Sequence, residues 1–424
     1  MESYRKRIAD EVLKRKLLGT GAVLIEGAKW CGKTTTAEQQ AKSTVYMDAT
    51  TEGVNWKQMA EISPQIILNG ETPRLIDEWQ IAPTLWDSIR YEVDHRRIDG
   101  QFILTGSSVP ANTEMIRHSG TGRFSWLKMR PMSLWESGDS NGSVSLSELF
   151  RCPNQLISEN QLTLEDIAFL TCRGGWPRAV SQQKSIALDR AFDYIDAVAR
   201  NDISRVDNIR RDEGRTLRIM RSYARHQGTQ IPISMIAEDV KLNDTKSLDD
   251  KTVYSYITAL KKIYVIEDMP SWNPNLRSKT AIRTSDNKYF VDPSIATGVL
   301  GLGPSDLLND LNSFGLFFET LCVRDLRIFA DALNGQVFHY RDKNGLECDT
   351  VLHLRNGSYG LIEIKLGGET LIDEGAKSLK KLSSIIDTTK MKQPSFLLVL
   401  TAVGKYAYRR EDGIYVVPIG CLKD

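Results

Sequence analysis

The chain has 424 residues, 41% of them hydrophobic and 26% charged, which excludes a disordered or fibrous protein and supplies material for roughly two to four domains. Its 55 Lys and Arg against 54 Asp and Glu leave a net charge of +1, which excludes a global field for nucleic acid or an acidic membrane, so any nucleic-acid surface must be local. Six scattered cysteines (Cys31, Cys152, Cys172, Cys322, Cys348, Cys421) and five unclustered histidines argue against a disulfide framework and a zinc site. With no apolar run of membrane-spanning length, and acids mixed into the basic N-terminus, the expectation is a cytoplasmic protein with no membrane segment.

In chain order, the apolar run Ala22 to Ile25 reads as a strand. It leads into Gly27-Ala28-Lys29-Trp30-Cys31-Gly32-Lys33-Thr34-Thr35 and a helix from Thr34 to Ala41. G-x4-G-K-[ST] arises by chance in only ~1–2% of chains this long. Between a strand and a helix it reads as a phosphate-binding loop, in which the glycines let backbone N–H groups turn inward around phosphates. Lys33 then reaches the β and γ phosphates, and Thr34 offers its hydroxyl to Mg²⁺. Strands follow at Ser43 to Met47, Arg74 to Asp77, Gln101 to Thr105 and Arg123 to Met129. They alternate with helical stretches at Val54 to Met59 and Gln80 to Arg97, the signature of a parallel α/β sheet.

Leu75-Ile76-Asp77-Glu78 ends an apolar strand with two carboxylates, which an adjacent parallel strand would bring to the phosphates. Asp77 is expected to hold Mg²⁺ through its water shell and Glu78 to polarise the attacking water, so the pair predicts hydrolysis. A hydroxyl of Thr105-Gly106-Ser107-Ser108, from either Thr105 or Ser107, is the candidate sensor of the γ phosphate. Arg123 is read either as an arginine finger, in cis or from a neighbouring subunit, or as an ordinary surface arginine.

Residues 139–147 are rich in Ser and Gly and read as an exposed loop. Residues 151–211 read as a mostly helical lid interrupted by Gly174-Gly-Trp-Pro177. Residues 212–272 show helix, helix, helix and a short strand, the pattern of a winged helix. From 273 to 424 strands dominate around one long helix, Phe314 to Leu333. There Glu347 to Leu354 and Leu361 to Lys365 form a hairpin around Arg355-Asn-Gly-Ser358. Glu363 and Lys365 share a strand face, Asp349 lies across from them, and Glu319 on the preceding helix adds a third acid. Acids of this kind hold a divalent metal in phosphodiester cleavage, and a lysine positions water.

Together these residues resemble bacterial and archaeal AAA-type ATPases whose C-terminal domain of unknown function ends in a restriction-endonuclease-like fold. The resemblance rests on Gly27 to Thr34, Leu75 to Glu78, Leu104 to Ser108, Gly122-Arg123, Arg130 to Glu136, Gly174 to Pro177, Asn201-Asp202-Ile203, Phe290 to Pro293, Phe318-Glu319, and Asp349 with Glu363-Ile-Lys365. It implies ATP and Mg²⁺ as ligands and the order ATPase core (1–150), helical lid (151–211), winged helix (212–272) and nuclease-like α/β domain (273–424). Trp30-Cys31 departs from the family, which has less bulky or less reactive residues there.

Two functions fit. One is an ATPase that couples nucleotide state to DNA or RNA, with Lys251, Lys261 and Lys262 as basic candidates and metal-dependent cleavage as an option. The other is a nucleotide-switched ATPase that binds protein partners and carries a silent nuclease-like domain. A homo-oligomer is compatible with both.

Overall fold

Val23 and Ile25 point to one side of their strand and Ala22 and Leu24 to the other, and both sides are buried, as expected where helices cover a parallel sheet on two faces. The computed structural model describes residues 4–49, 55–106, 119–151, 153, 156–241, 249–274 and 285–424. The chain divides into two units, the first made of residues 1–131, 198–212 and 258–265 and the second of the remainder.

In the first unit, strands β1 (Ala22–Gly27), β2 (Ser43–Tyr46), β3 (Arg74–Asp77), β4 (Phe102–Gly106) and β5 (Phe124–Met129) form one sheet in the order β2-β3-β4-β1-β5. All four pairings are parallel. Helices α1 (Ile8–Leu17) and α2 (Lys33–Glu38) face Val23, Ile25, Leu75, Ile103 and Leu127. On the other face Leu24, Ile76 and Leu104 pack with Trp79, Leu85, Trp86 and Ile89, the last three from the helix Leu85–Arg96. Each such aliphatic side chain contributes ~1.5–3 kcal/mol on burial. Because every strand runs the same way, the C-terminal ends of β1, β3 and β4 lie on one sheet edge.

The second unit is built on a seven-stranded mixed sheet. Besides a short pair, β6 (Val144–Ser145) with β14 (Leu422–Lys423), its strands are β7 (Ile157–Glu159), β8 (Gly335–Arg341), β9 (Glu347–Leu354), β10 (Tyr359–Lys365), β11 (Phe396–Thr401), β12 (Tyr406–Arg409) and β13 (Tyr415–Pro418). They run in the order β7-β12-β13-β11-β10-β9-β8. Helix Glu369–Ile385 covers one face through Ala376, Leu379 and Leu382. Further helices occupy Leu164–Arg173, Lys184–Ala197, Glu213–Arg225, Ile233–Lys241, Pro293–Leu300 and Leu311–Ala332. Antiparallel bridges join Ile266 to Phe290 and Met269 to Asn287.

A buried ion network ties together several of the motifs noted in the sequence. Arg324 Nη1 donates to Asp292 Oδ2 at 2.9 Å and its Nε to Asp325 Oδ1 at 2.8 Å. Asp292 also accepts the Gly175 N–H, and Asp325 the Leu134 N–H. Trp176 donates to Ser294, whose hydroxyl in turn donates to Asp292. Gly175 has no room for a side chain, since a Cβ there would stand 2.0 Å from the Met132 carbonyl oxygen.

The units change over after residues 131, 197, 212, 257 and 265. Residues 139–147 are not an exposed loop, because Ser140 and Ser145 are buried and spend their hydroxyls on the carbonyls of Leu422 and Asp424. Within residues 151–211, β7 pairs with β12 and residues 198–212 group with the first unit. The 17-residue helix Glu369–Ile385 stands in a region where only one long helix was expected.

Candidate functional site

The sheet edge at the ends of β1, β3 and β4 gathers the nucleotide-loop residues. Gly27 has φ +153° and Gly32, at the start of α2, φ +99°. A Cβ on Gly27 would lie 2.0 Å from the Met129 carbonyl oxygen, so the loop's first turn needs glycine twice over. Trp30 also has positive φ, +65°, and is half exposed; a bulky residue held there is strained. Ala28 and Cys31 are fully buried, with the Cys31 Sγ 3.6 Å from the Met129 carbonyl oxygen, and Thr35 is exposed. Lys33 is buried, and its ammonium donates to the carbonyls of Gly27 and Ala28, each at 2.9 Å.

Thr34 Oγ1 donates to Asp77 Oδ1 at 2.7 Å, and the Thr105 hydroxyl donates to the same oxygen. Thr105, completely buried on β4 and paired with Ile25 of β1, therefore orients Asp77. Ser107 and Ser108 lie outside the described residues. Glu78 follows Asp77 with φ +54°, and its carboxylate accepts from the Gln80 amide. Burial raises its proton affinity above the usual carboxylate range, and Asp77 adds to this; Lys33 and the Gln80 hydrogen bond oppose it, as does Lys29.

The residues present fit a nucleotide with its metal. Lys33 is a buried cation capped by loop carbonyls, and the Thr34 hydroxyl with the Asp77 carboxylate are hard oxygen donors suited to Mg²⁺. Such a metal would neutralise phosphate charge. The loop of residues 27–35, the Thr34–Asp77 pair and the carboxylate of Glu78 thus stand together at one end of the sheet.

Arg123 is elsewhere. Its carbonyl accepts the Ala22 N–H and Phe124 pairs with Ala22, which places it at the N-terminal end of β1, roughly 16 Å of strand from Gly27. Its guanidinium is bound to Asp94 at 2.8 Å. A finger role in cis is thereby corrected: the parallel sheet puts Arg123 on the edge opposite the loop.

Two contacts of the loop and of the strand that leads into it have no local signature in the sequence. Lys29 Nζ lies 2.6 Å from Asp202 Oδ1, and Glu26 at the end of β1 is hydrogen-bonded to Tyr264. Asp202 belongs to the Asn201-Asp202-Ile203 motif, which carries no role in the sequence alone, and nothing local marks Tyr264.

In the second unit the four expected residues do come together. The antiparallel register that pairs Ile362 with Thr350 sets Asp349 across from Glu363. Lys365 Nζ is 2.7 Å from Glu363 Oε2 and 3.3 Å from Asp349 Oδ2, while Asp349 also accepts the Ile364 N–H. Glu319 accepts the hydroxyl of Tyr289, a partner the sequence did not announce. Among the described residues, no three His, Cys, Asp or Glu side chains are set to hold a metal ion. As they stand the acids fit a lysine and not a metal.

Burial pushes Glu319 and Glu363 up to about 8, with Asp349 repelling both and Lys365 pulling both down. Each binds its proton more tightly folded than unfolded. Their contribution to stability is therefore whole below the unfolded value near 4.5 and is lost as pH rises through the folded one. Urea unfolding of the full chain in EDTA should show stability falling from about pH 5 to about pH 8, and Glu363→Gln should flatten that slope. A slope unchanged by the substitution would assign the pH dependence elsewhere.

A parallel sheet carrying this loop, an Asp–Thr pair beneath it and a perched glutamate defines a P-loop ATPase domain. Residues 19–137 match the family model described as an AAA domain. Residues 164–306 and 314–422 match two domains of unknown function, DUF8612 and DUF4143. The chain thus carries an AAA-type ATPase domain followed by a C-terminal DUF4143 domain. It is 22% identical over 418 residues to Mb2031c of Mycobacterium bovis and Rv2008c of Mycobacterium tuberculosis, covering 97% of this chain and 83% of each relative. Among solved structures it is similar to the Walker-type ATPase PABY2304 of Pyrococcus abyssi (14% identity, 69% of this chain and 94% of that one, TM-score 0.41). It is also similar to a single-residue variant of RuvB from Thermotoga maritima (14%, 62% and 86%, TM-score 0.25). No helix among the described residues is long and apolar enough to cross a membrane.

Proposed function

We propose that the protein is a Mg²⁺-dependent ATP hydrolase of AAA type whose nucleotide cycle governs engagement of nucleic acid by its C-terminal half. The observation that carries the hydrolytic part is the Thr34–Asp77 hydrogen bond beside Glu78, at the mouth of a loop whose lysine is buried. The helices Glu213–Arg225, Ile233–Lys241 and Asp250–Lys262, followed by the bridged segments around Met269 and Asn287, support a winged helix as the engaging module. On its third helix Lys251, Lys261 and Lys262 are exposed, and Lys251 and Lys262 share a face about three turns apart. The helix with Glu319, the hairpin and the Glu-x-Lys strand support a restriction-endonuclease-like fold for the last domain.

A second reading keeps the ATPase but makes the nuclease-like domain silent and its partners proteins. The lysine that occupies both Asp349 and Glu363 favours it. One paired assay separates these readings. With Mg²⁺ or Mn²⁺, ATP hydrolysis should be lost in Lys33→Ala and kept in Lys365→Ala. DNA binding that weakens with salt supports the first reading; no binding at low salt supports the second. Cleavage abolished by Lys365→Ala would establish the nuclease. Hydrolysis unaffected by Lys33→Ala would end the ATPase assignment.

A further inference from the structure

The chain leaves the first unit after residue 131 and returns to it twice, at 198–212 and 258–265. Both returns touch β1 or its loop. Tyr264, with the unusual φ of +59°, hydrogen-bonds Glu26 at the end of β1. Asp202, buried, holds the Lys29 ammonium at 2.6 Å. Asp202 closes a π-turn, Val198–Asp202, that begins where the helix Lys184–Ala197 ends. Wide turns of this kind interrupt a helix at a cost and occur frequently at functional sites. Just beyond, Arg211 clamps the segment by donating to the Ile203 carbonyl and to both carboxylate oxygens of Asp207.

Lys29 is the loop's second cation. It stands two residues after Gly27 and close enough to Glu78 for its charge to lower that acid's proton affinity. The ammonium therefore sits between a carboxylate that holds it and the place where phosphates would bring a greater negative charge. We propose that Asp202 is a positioning residue that holds Lys29 aside until nucleotide phosphates enter the loop and then releases it to them, so that occupancy of the loop is read by the π-turn. This rests on the loop being a nucleotide site. The pair is only partly buried, so its effect is modest. Its direction is distinctive, because removing a buried acid should strengthen ligand binding.

The test uses the full chain and a fluorescent ADP, N-methylanthraniloyl-ADP. Asp202→Asn should bind it roughly two- to fivefold more tightly than wild type. Lys29→Met should bind it more weakly, and adding Asp202→Asn to Lys29→Met should bring no further gain. Hydrogen exchange at 198–205 should rise on adding nucleotide to wild type but not to Lys29→Met, a readout that survives even if Asp202→Asn folds poorly. Absence of binding by wild type would remove the nucleotide reading itself. Wild-type binding with an Asp202→Asn affinity equal to or weaker than wild type, or nucleotide-independent exchange at 198–205, would overturn the role of Asp202 and leave the nucleotide site standing.

Discussion

Glu78→Gln should still bind nucleotide, within about threefold of wild type, while ATP hydrolysis falls ~10²–10⁴-fold, the usual contribution of a positioned proton acceptor. The change keeps the side chain's shape and can still accept from Gln80, but it removes the proposed proton acceptor. Two features of Glu78 suit it to that proposed role. Its backbone is held in the left-handed region at φ +54°, where a glutamate is uncommon. Its proton affinity is also raised by burial, toward the range in which a base works near neutral pH. Lys33→Ala should lose binding and hydrolysis together. A Glu78→Gln rate within fivefold of wild type would show that some other group polarises the water.

Arg324→Leu should cost the second unit about 3–5 kcal/mol, the penalty for leaving buried carboxylates without their cation. Arg324, Asp292 and Asp325 are each buried to within about 1% of full enclosure, so water cannot replace the missing charge. The two carboxylates also organise the N–H groups of Gly175 and Leu134, which lie far apart in sequence, so the damage should spread beyond the pair. Chemical denaturation followed by intrinsic fluorescence would read it, Trp176 being bonded to Ser294 within the same network. A loss below about 1 kcal/mol would show that the site relaxes or hydrates.

The nucleotide loop was legible because its chemistry is local. Gly27, Gly32, Lys33 and Thr34 stand within eight consecutive residues between a strand and a helix. Asp77 and Glu78 were legible because parallel strands of an alternating α/β segment must end on one edge. For Arg123 the sequence left a finger in cis, a finger from a neighbouring subunit and a surface arginine open, and only the direction of β5, which starts at the far edge, sets the cis option aside. The Asp349, Glu363 and Lys365 grouping followed from strand period and hairpin register, but the lysine's grip on both acids depends on burial, which spacing does not encode. Asp202 and Tyr264 were beyond reach because long-range returns of the chain have no local signature. Asp292, Gly175 and Arg324 were visible as motifs or not at all, and only packing shows them as one network.

The two returns at 198–212 and 258–265 also bear on how the gene can be cut. A fragment ending near Met132 would carry all five parallel strands and the whole phosphate loop, yet it would lack Asp202 and Tyr264, which hold Lys29 and Glu26. The nucleotide module is therefore not a cassette that can be transplanted by its sequence boundaries. Grafted onto another protein, it would bring its loop without the two tethers through which the rest of its own chain holds it.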